Sequence, residues 1–207
     1  MLDHAPPDVA RASLRDLARI NRYLGGYYVL GRLFAGVVKP GDSFSVLDIG
    51  AASGDMGAAI RRRYPGARVT SLDYKSDHLA QAAEPKLVAD AFRLPFRPAS
   101  FDFVFSSLFL HHFPNDQLVE LFRSCRDLAR RAVLAIDLDR GPLAYHFLPS
   151  TRWLFGWHDI TISDGQISVA AALKKDELMA LALGAGLKGA QVRVHRPWSR
   201  LSLMAPV

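Results

Sequence analysis

Two hydrophobic periodicities alternate along most of the chain. Short apolar runs rich in β-branched and aromatic residues predict seven strands, at 45–49, 68–72, 86–88, 101–105, 132–136, 190–195 and 199–204. Longer stretches with apolar residues every three or four positions predict helices at 10–24, 56–64, 116–129 and 175–185, with further helical segments ending near 39 and around 78. This alternation indicates a parallel sheet covered by helices on both faces.

The end of the chain departs from this alternation. Only a few residues, including Pro197, separate the runs at 190–195 and 199–204. A parallel crossover connection needs a dozen or more residues, so we expect the last strand to run antiparallel to its neighbour. The predicted fold class is α/β, a three-layer sandwich around a mostly parallel seven-stranded sheet with an antiparallel last strand and an N-terminal helical extension.

The length of 207 residues predicts one domain with three parts. These are a helical extension or cap at 1–40, a cofactor-binding core at 41–139, and an acceptor-side insertion followed by the last helix and strands at 140–207. The stretch 140–170 is rich in aromatic residues but is interrupted by Pro142, Pro149 and Gly156. Its secondary structure is therefore not assigned from the sequence.

The first predicted helix is basic and amphipathic. One of its faces carries four arginines, Arg11, Arg15, Arg19 and Arg22, and the opposite face is apolar. Together with the net charge of +6, this face has two interpretations. It is either the solvated outside of a helix that covers the domain, or a peripheral contact with an acidic membrane surface or a polyanion. No uncharged apolar run reaches the roughly 18 residues that a membrane-spanning helix needs.

Cys125 is the only cysteine, which limits the redox and metal chemistry of the chain. A lone thiol forms neither an internal disulfide nor a thiolate metal cluster, and this usage is typical of a reducing cytoplasm. No metal site is predicted, because Asp137 and Asp139 alone do not supply enough ligands. No motif indicates an oligomeric state.

A turn of small residues follows the first predicted strand. It contains Gly50, Ala52 and Gly54 and begins directly after Asp48. Open α/β sheets bind ligands at the carboxyl ends of their strands, so we predict a cofactor loop here. A tight turn without a ligand would explain the two glycines, but not the small residues throughout the loop.

The carboxylate of Asp48 distinguishes between two classes of cofactor. It would repel the pyrophosphate of a dinucleotide by about 1 kcal/mol or more. S-adenosylmethionine has no phosphate and carries a sulfonium and an ammonium, which suit an anionic neighbour. The third glycine of the dinucleotide fingerprint is missing, and no Gly-Lys-Ser/Thr follows. The loop therefore favours S-adenosylmethionine, with S-adenosylhomocysteine as the product.

Two further acids follow later predicted strands. Asp73 ends the second strand, about 20 residues after the glycines, where a carboxylate can accept hydrogen bonds from both ribose hydroxyls. Asp90 lies just beyond the third strand, where it can accept from an adenine amino group while Phe92 packs on the ring. A solvated loop acid beside a core aromatic residue is the alternative for Asp90 and Phe92.

The order and spacing of these motifs resemble a known family. The motifs are Leu-Asp-Ile-Gly-Ala-Ala-Ser-Gly at 47–54, Asp73, Ala-Asp-Ala at 89–91 with Leu-Pro-Phe at 94–96, and Ser-Phe-Asp at 100–102 leading to Leu-His-His-Phe at 110–113. Over 44–137 the chain resembles the class I S-adenosylmethionine-dependent methyltransferases, especially the small-molecule group that includes the ubiquinone and menaquinone biosynthesis enzymes. The resemblance implies a Rossmann-like fold.

The resemblance also implies roles for individual residues. Gly50 and Gly54 would border the methionine moiety, Asp73 would bind the ribose, and 106–112 would face the sulfonium. The candidate cofactor-binding residues are Asp48, Gly50, Ala52, Gly54, Asp73, Tyr74, Asp90, Ala91, Phe92 and Ser106. Ala52 departs from the family, which usually has glycine there.

Methyl transfer is an in-line displacement at an activated carbon, so the protein mainly aligns the acceptor and excludes water. A phenol or an enolisable carbon would need a base, and His111 and His112 are the candidates. Either histidine can instead be structural. The candidate substrate-binding residues are the aromatic residues Tyr27, Tyr28, Phe109, Tyr145 and Trp153, which, with Trp157, can equally form the core of the cap.

The predicted activity is O- or C-methylation of a hydrophobic, aromatic or polyketide-like small molecule. One alternative is a non-catalytic S-adenosylmethionine-binding protein or assembly factor. The other is an RNA methyltransferase, which only the basic charge favours. Nucleic acid is disfavoured as a partner because no Asp/Asn-Pro-Pro-aromatic run follows the fourth strand, and Cys125 lies within a predicted helix away from the cofactor edge.

Overall fold

The computed structural model describes residues 7–207, with side chains from residue 12 onward. Within this range the chain forms seven α-helices and seven strands. In chain order these are α1 Pro7–Tyr23, α2 Gly26–Ala35, β1 Phe44–Ile49, α3 Asp55–Arg63, β2 Ala67–Asp73, β3 Lys86–Val88, β4 Phe101–Ser107, α4 Asn115–Leu128, β5 Ala129–Leu138, α5 Pro142–Phe155, α6 Asp159–Ala171, α7 Lys175–Gly184, β6 Gln191–His195 and β7 Arg200–Pro206. Short 3₁₀ turns occur at His78–Gln81 and Leu110–His112.

The strands form one sheet in the order β3-β2-β1-β4-β5-β7-β6. β7 pairs antiparallel with both β5 and β6, and the other pairs are parallel. This confirms the predicted fold class and the antiparallel last strand. The strand order reverses between β1 and β4, so the connections from these strands leave in opposite directions and open a crevice at their carboxyl ends.

Alternate residues of the strands feed two separate cores. In β4, Phe103 and Phe105 face a core shared with α2 and α3, whereas Val104 faces a core shared with α4 and α7. Period-two alternation across a sheet produces this division. Phe34 of α2 is fully buried and packs its ring against those of Phe44, Phe103 and Phe105. The N-terminal extension is thus attached to the sheet through its own core residue.

The unassigned stretch 140–170 forms α5 and α6, which the breaking residues had obscured. Pro142 occupies the first turn of α5, where its missing N–H costs nothing, and Gly156 ends the helix with φ 64°. Pro149 lies inside α5. α5 packs against α6, and α6 packs against α1 and the turn at Leu110–His112. These helices cover the carboxyl edge of the sheet.

The basic face of α1 is only partly solvated. Arg15 and Arg22 are exposed, but Arg19 donates to Asp16 Oδ1 and to the carbonyl of Phe155, both at 2.8 Å. Its guanidinium also lies 4.8 Å from the centre of the Trp157 ring. The side chain of Arg11 lies outside the described residues. Within 7–207, no helix has both the length and the apolar character needed to cross a bilayer.

We expect Phe34→Ala to destabilise the fold by about 3–5 kcal/mol, because it removes a fully buried ring and leaves a cavity between α2 and the sheet. Denaturant unfolding followed by circular dichroism measures the effect. Leu154→Ala is the control, since that side chain is 60% exposed and its loss should change stability by about 0.5 kcal/mol or less. Equal effects of the two substitutions would contradict this role of Phe34.

Candidate active site

A cavity of about 940 Å³ lies at the carboxyl ends of β1, β2 and β4, and is called here the donor cavity. Eight of the ten predicted cofactor-binding residues line it: Asp48, Gly50, Ala52, Asp73, Tyr74, Asp90, Ala91 and Phe92. Gly54 is not part of the lining. A Cβ atom at this position would lie only 2.8 Å from the Cβ of Ala82, so the glycine allows the loop to pack closely against Ala82. Ser106 is also not part of the lining. Its neighbour Ser107 takes that place because successive strand residues face opposite sides.

The loop after β1 has an unusual backbone. Gly50 and Gly54 have φ of 69° and 73°, and Ala52 lies between them with φ 47°. A side chain at position 50 would collide with the ring of Phe109. The left-handed region costs a non-glycine residue about 1–2 kcal/mol, so Ala52 holds a strained conformation. Its N–H donates to Asp73 Oδ2 at 2.9 Å, which ties the loop to the end of β2.

Asp73 is ionised and well supported. Burial opposes its charge, but hydrogen bonds from His78 and from the N–H groups of Lys75 and Ala52 lower its pKa below the ordinary value. The Nδ1 atom of His78 lies 3.3 Å from Asp73 Oδ1, and the Lys75 N–H lies 3.0 Å from the same oxygen. A carboxylate oxygen has more than one acceptor site, so the group can still accept a hydrogen bond from a ligand.

Two other carboxyl groups of the donor cavity, the buried Asp48 and the partly buried Asp55, have no ion-pair partner among the described residues. Burial and the nearby Asp55 raise the pKa of Asp48 well above its ordinary value, and its Oδ2 atom has no hydrogen-bond partner within that part of the chain. Burial also raises the pKa of Asp55, although Asn21 and Tyr27 donate to its Oδ2 at 3.0 and 3.2 Å. A cation placed between these groups would favour their charged forms.

His111 is held by a buried carboxylate. Its Nδ1 lies 2.6 Å from Asp137 Oδ1, and both side chains are about 95% buried. The N–H groups of Leu110 and Leu138 also donate to Asp137, at 2.8 and 2.7 Å. Burial alone would raise the pKa of Asp137, but His111 and these N–H groups lower it. An ionised carboxylate only accepts, so Nδ1 of His111 carries the proton in this contact.

A second cavity of about 390 Å³ lies beneath α1, α5 and α6, and is called here the acceptor cavity. Its apolar lining includes Leu17 and Ile20 of α1, Phe147 and Leu148 of α5, and Val169 of α6. Six residues line both cavities: Leu17, Leu108, His111, His112, Asp164 and Ser168. The two cavities therefore meet at the predicted histidines, of which His111 is buried and His112 is exposed.

None of the predicted aromatic acceptor residues lines the acceptor cavity. Phe109 lines the donor cavity, and Tyr27 donates to Asp55. Tyr28, Tyr145 and Trp153 are 54%, 38% and 84% exposed. The helical repeat explains this placement in α5, because Ala144, Phe147 and Leu148 face the cavity and the other two aromatic residues lie outside it. Trp157 is buried in the cap, where it donates to Thr151.

Several residues of the site are not among the predicted ones. Asp137 lies near the carboxyl end of its strand, as Asp48 and Asp73 do, and this position is a signal in the sequence. Asp55 directly follows Gly54 of the predicted cofactor loop and begins α3. Asn21 carries no local signal. Among the described residues no group of three or more His, Cys, Asp or Glu side chains is placed to hold a metal ion.

Comparison with known proteins agrees with this architecture. Residues 46–132, less than half of the chain, match a family model described as a methyltransferase domain. No curated protein matches the sequence. Many solved structures share the fold, and three of them illustrate the range of the similarity.

The plantazolicin methyltransferase BamL, in complex with a triazolic desmethylPZN analog and SAH, is 14% identical over 99% of this chain and 92% of its own, with a TM-score of 0.73. A SAM-dependent methyltransferase from Aquifex aeolicus is 13% identical over 98% of this chain and 99% of its own, with a TM-score of 0.65. Human N-acetylserotonin methyltransferase in complex with SAM is 17% identical over 93% of this chain and 54% of its own, with a TM-score of 0.67.

The chain is shorter than several other matching structures and spans 56%, 66% and 64% of the length of three of them. At these low identities the structures show a shared fold, which is the Rossmann-like methyltransferase fold. The fold and the family match together support a class I methyltransferase.

We expect the wild-type protein to lose stability between about pH 5 and pH 7 because of Asp48. A group whose pKa is raised on folding binds its proton more tightly in the folded state, so stability falls as the pH rises above its ordinary pKa. Asp48→Asn should reduce this loss, whereas the exposed Asp176→Asn should leave it unchanged. Denaturant unfolding at the two pH values measures it, and an undiminished loss in Asp48→Asn would contradict the assignment.

The strain at Ala52 predicts that two alanine-to-glycine substitutions have different effects. Ala52→Gly relieves the left-handed conformation, and we expect stability to stay constant or rise by about 0.5–1 kcal/mol. Ala58→Gly, at an exposed position within α3, should lower stability by about 1 kcal/mol. Denaturant unfolding compares the two. A loss in Ala52→Gly as large as that in Ala58→Gly would show that the loop is not strained there.

Proposed function

We propose that this protein is an S-adenosylmethionine-dependent methyltransferase that methylates an oxygen of a hydrophobic small molecule. The observation that carries the proposal is the meeting of the donor and acceptor cavities at His111, whose ring is oriented by the buried Asp137. A base held at the boundary between a cofactor site and an apolar pocket suits proton removal from a hydroxyl group.

The donor cavity fits the charge of this cofactor. S-adenosylmethionine supplies a methyl group activated by a sulfonium, and its methionyl end carries an ammonium. The buried Asp48 and the partly buried Asp55 have no ion-pair partner among the described residues, and Asp48 Oδ2 has no hydrogen-bond partner there. A buried polar atom of this kind costs about 1–3 kcal/mol until a ligand satisfies it. A cationic ligand would therefore stabilise this region, whereas a pyrophosphate would not.

The remaining acids have positions suited to the nucleoside. Asp73 lines the cavity at the end of β2 and would accept from the ribose hydroxyls. Asp90 would accept from the adenine amino group, and the ring of Phe92, which packs edge-on against Phe113, would contact the base. Gly50 leaves space at the loop that a side chain would fill.

His111 would act as the base in the acceptor half of the reaction. Nε2 would take the proton of the acceptor hydroxyl as its oxygen bonds to the methyl carbon, the carbon–sulfur bond would break to release S-adenosylhomocysteine, and the ionised Asp137 would stabilise the imidazolium. Three helices would cover the site and exclude water: α1 from the N-terminal extension, and α5 and α6 from the insertion that follows β5. This arrangement favours O-methylation over C-methylation, because a phenolic hydroxyl gives up its proton to a base more readily than a carbon acid does.

Titration calorimetry with S-adenosylmethionine and S-adenosylhomocysteine tests donor binding, and transfer of a labelled methyl group to a panel of phenols tests the activity. We expect both ligands to bind with dissociation constants well below about 1 mM. Absence of binding would contradict the proposal. Binding without transfer to any acceptor would favour a non-catalytic binding protein instead.

We expect His111→Gln and Asp137→Asn each to lower the transfer rate by about 10²–10⁴-fold, because these residues act on the acceptor proton. His146→Gln, at an exposed position of α5, is the matched control and should retain full activity. Full activity in His111→Gln would exclude this histidine as the base.

A further inference from the structure

Arg200 is a buried cation in the wall of an otherwise mostly apolar pocket. It is the first residue of β7, pairs with Leu138 of β5, and is only 1% exposed. It lines the acceptor cavity and is not part of the lining of the donor cavity. Neighbouring parts of the wall are supplied by Leu138, Trp198 and Leu24. A fully buried arginine in such surroundings needs an explanation.

The hydrogen bonds of Arg200 are incomplete. Its Nη2 donates to Asn21 Oδ1 over a long 3.4 Å, and Nη1 has no hydrogen-bond partner among the described residues. No carboxylate in that part of the chain forms an ion pair with it. A guanidinium has five N–H donors in a planar fork that matches a carboxylate, so an unused Nη1 leaves capacity for an anion.

The nearest acids are already committed to other groups. Asp137 and Asp55 favour the charge of Arg200 from a distance, while burial lowers its pKa to about 10. Asp137 is bound to His111 and to two backbone N–H groups, and Asp55 accepts from Asn21 and Tyr27. With a pKa of about 10, Arg200 stays charged at neutral pH, and a buried charge without a close partner is unfavourable.

We propose that the acceptor is a hydrophobic acid whose carboxylate binds Arg200 while its apolar body fills the acceptor cavity. This inference rests on the proposed function, since it names the substrate class of the same site. His111 lines the same cavity, so the acceptor carries its carboxylate and its reacting hydroxyl at separate positions. Among the described residues, Arg200 is the only arginine or lysine of this lining and Asp164 adds an acid, so the wall suits at most one negative charge and matches a carboxylate better than a dianionic phosphate.

The methionyl carboxylate of the donor is the other source of the same chemistry. Arg200 belongs to the acceptor cavity and not to the donor cavity, which favours the acceptor as the source. Asn21, between Arg200 and Asp55, separates the cation from the anionic donor site. The experiment must therefore measure acceptor and donor affinity separately.

Calorimetry on the full chain saturated with S-adenosylhomocysteine, using matched acid and amide probes, tests the inference. The probes are hydroxynaphthoate with hydroxynaphthamide and decanoate with decanamide. We expect at least one acid to bind about tenfold or more tightly than its amide. Arg200→Met should abolish this preference without weakening amide binding. Arg193→Met, at an exposed position of β6, should retain it.

Three outcomes decide the question. If no acid binds more tightly than its amide to the wild-type protein while S-adenosylhomocysteine still binds, the inference is wrong and the proposed function stands. If Arg200→Met retains the preference but loses donor affinity, Arg200 serves the donor carboxylate and the inference is also wrong. Failure of the wild-type protein to bind S-adenosylhomocysteine would contradict the proposed function itself. The wild-type comparison needs no variant, so a folding defect in Arg200→Met does not affect it.

Discussion

One buried carboxylate, Asp137, determines the layout of the site. It lies near the end of β5 and accepts hydrogen bonds from the Leu110 N–H, the His111 ring and the Leu138 N–H. These bonds hold the 3₁₀ turn that stands between the two cavities, and they orient its buried histidine. Because Asp137 is buried and ionised, losing any of these donors would leave a charge without compensation. The turn, the boundary between the cavities and the proposed base therefore depend on the same group.

The two halves of the site differ in their charged groups. The donor cavity is lined by several acids, among them Asp48, Asp55 and Asp73, whereas the lining of the acceptor cavity is mostly apolar, with the buried Arg200 and the shared Asp164. Asn21 links them, because its amide nitrogen donates to Asp55 and its amide oxygen accepts from Arg200. A residue of the N-terminal extension thus takes part in both cavities. The extension is a structural component of the site as well as a cover.

Helices of the cap were harder to predict than the core, for a definite physical reason. Pro142 and Gly156 look like helix breakers, but they occupy the two ends of α5, where a missing N–H and a left-handed residue are favourable. Aromatic type predicts candidate acceptor-binding residues, whereas the helical repeat decides which side chains of a helix face inward. Trp153 is consequently exposed, and the smaller Ala144 lines the cavity.

The sequence by itself determined the α/β order, the antiparallel β7 and the loop from Asp48 to Gly54, because periodicity, link length and turn chemistry are local properties of the chain. Eight of the ten cofactor-binding residues that it predicts line the donor cavity, since acids and glycines at strand ends converge on one edge of a parallel sheet. Only the tertiary structure brought Asn21, His111, Asp137 and Arg200 together. Their contacts join distant parts of the chain, and burial, which gives these contacts their strength, exists only in the packed molecule.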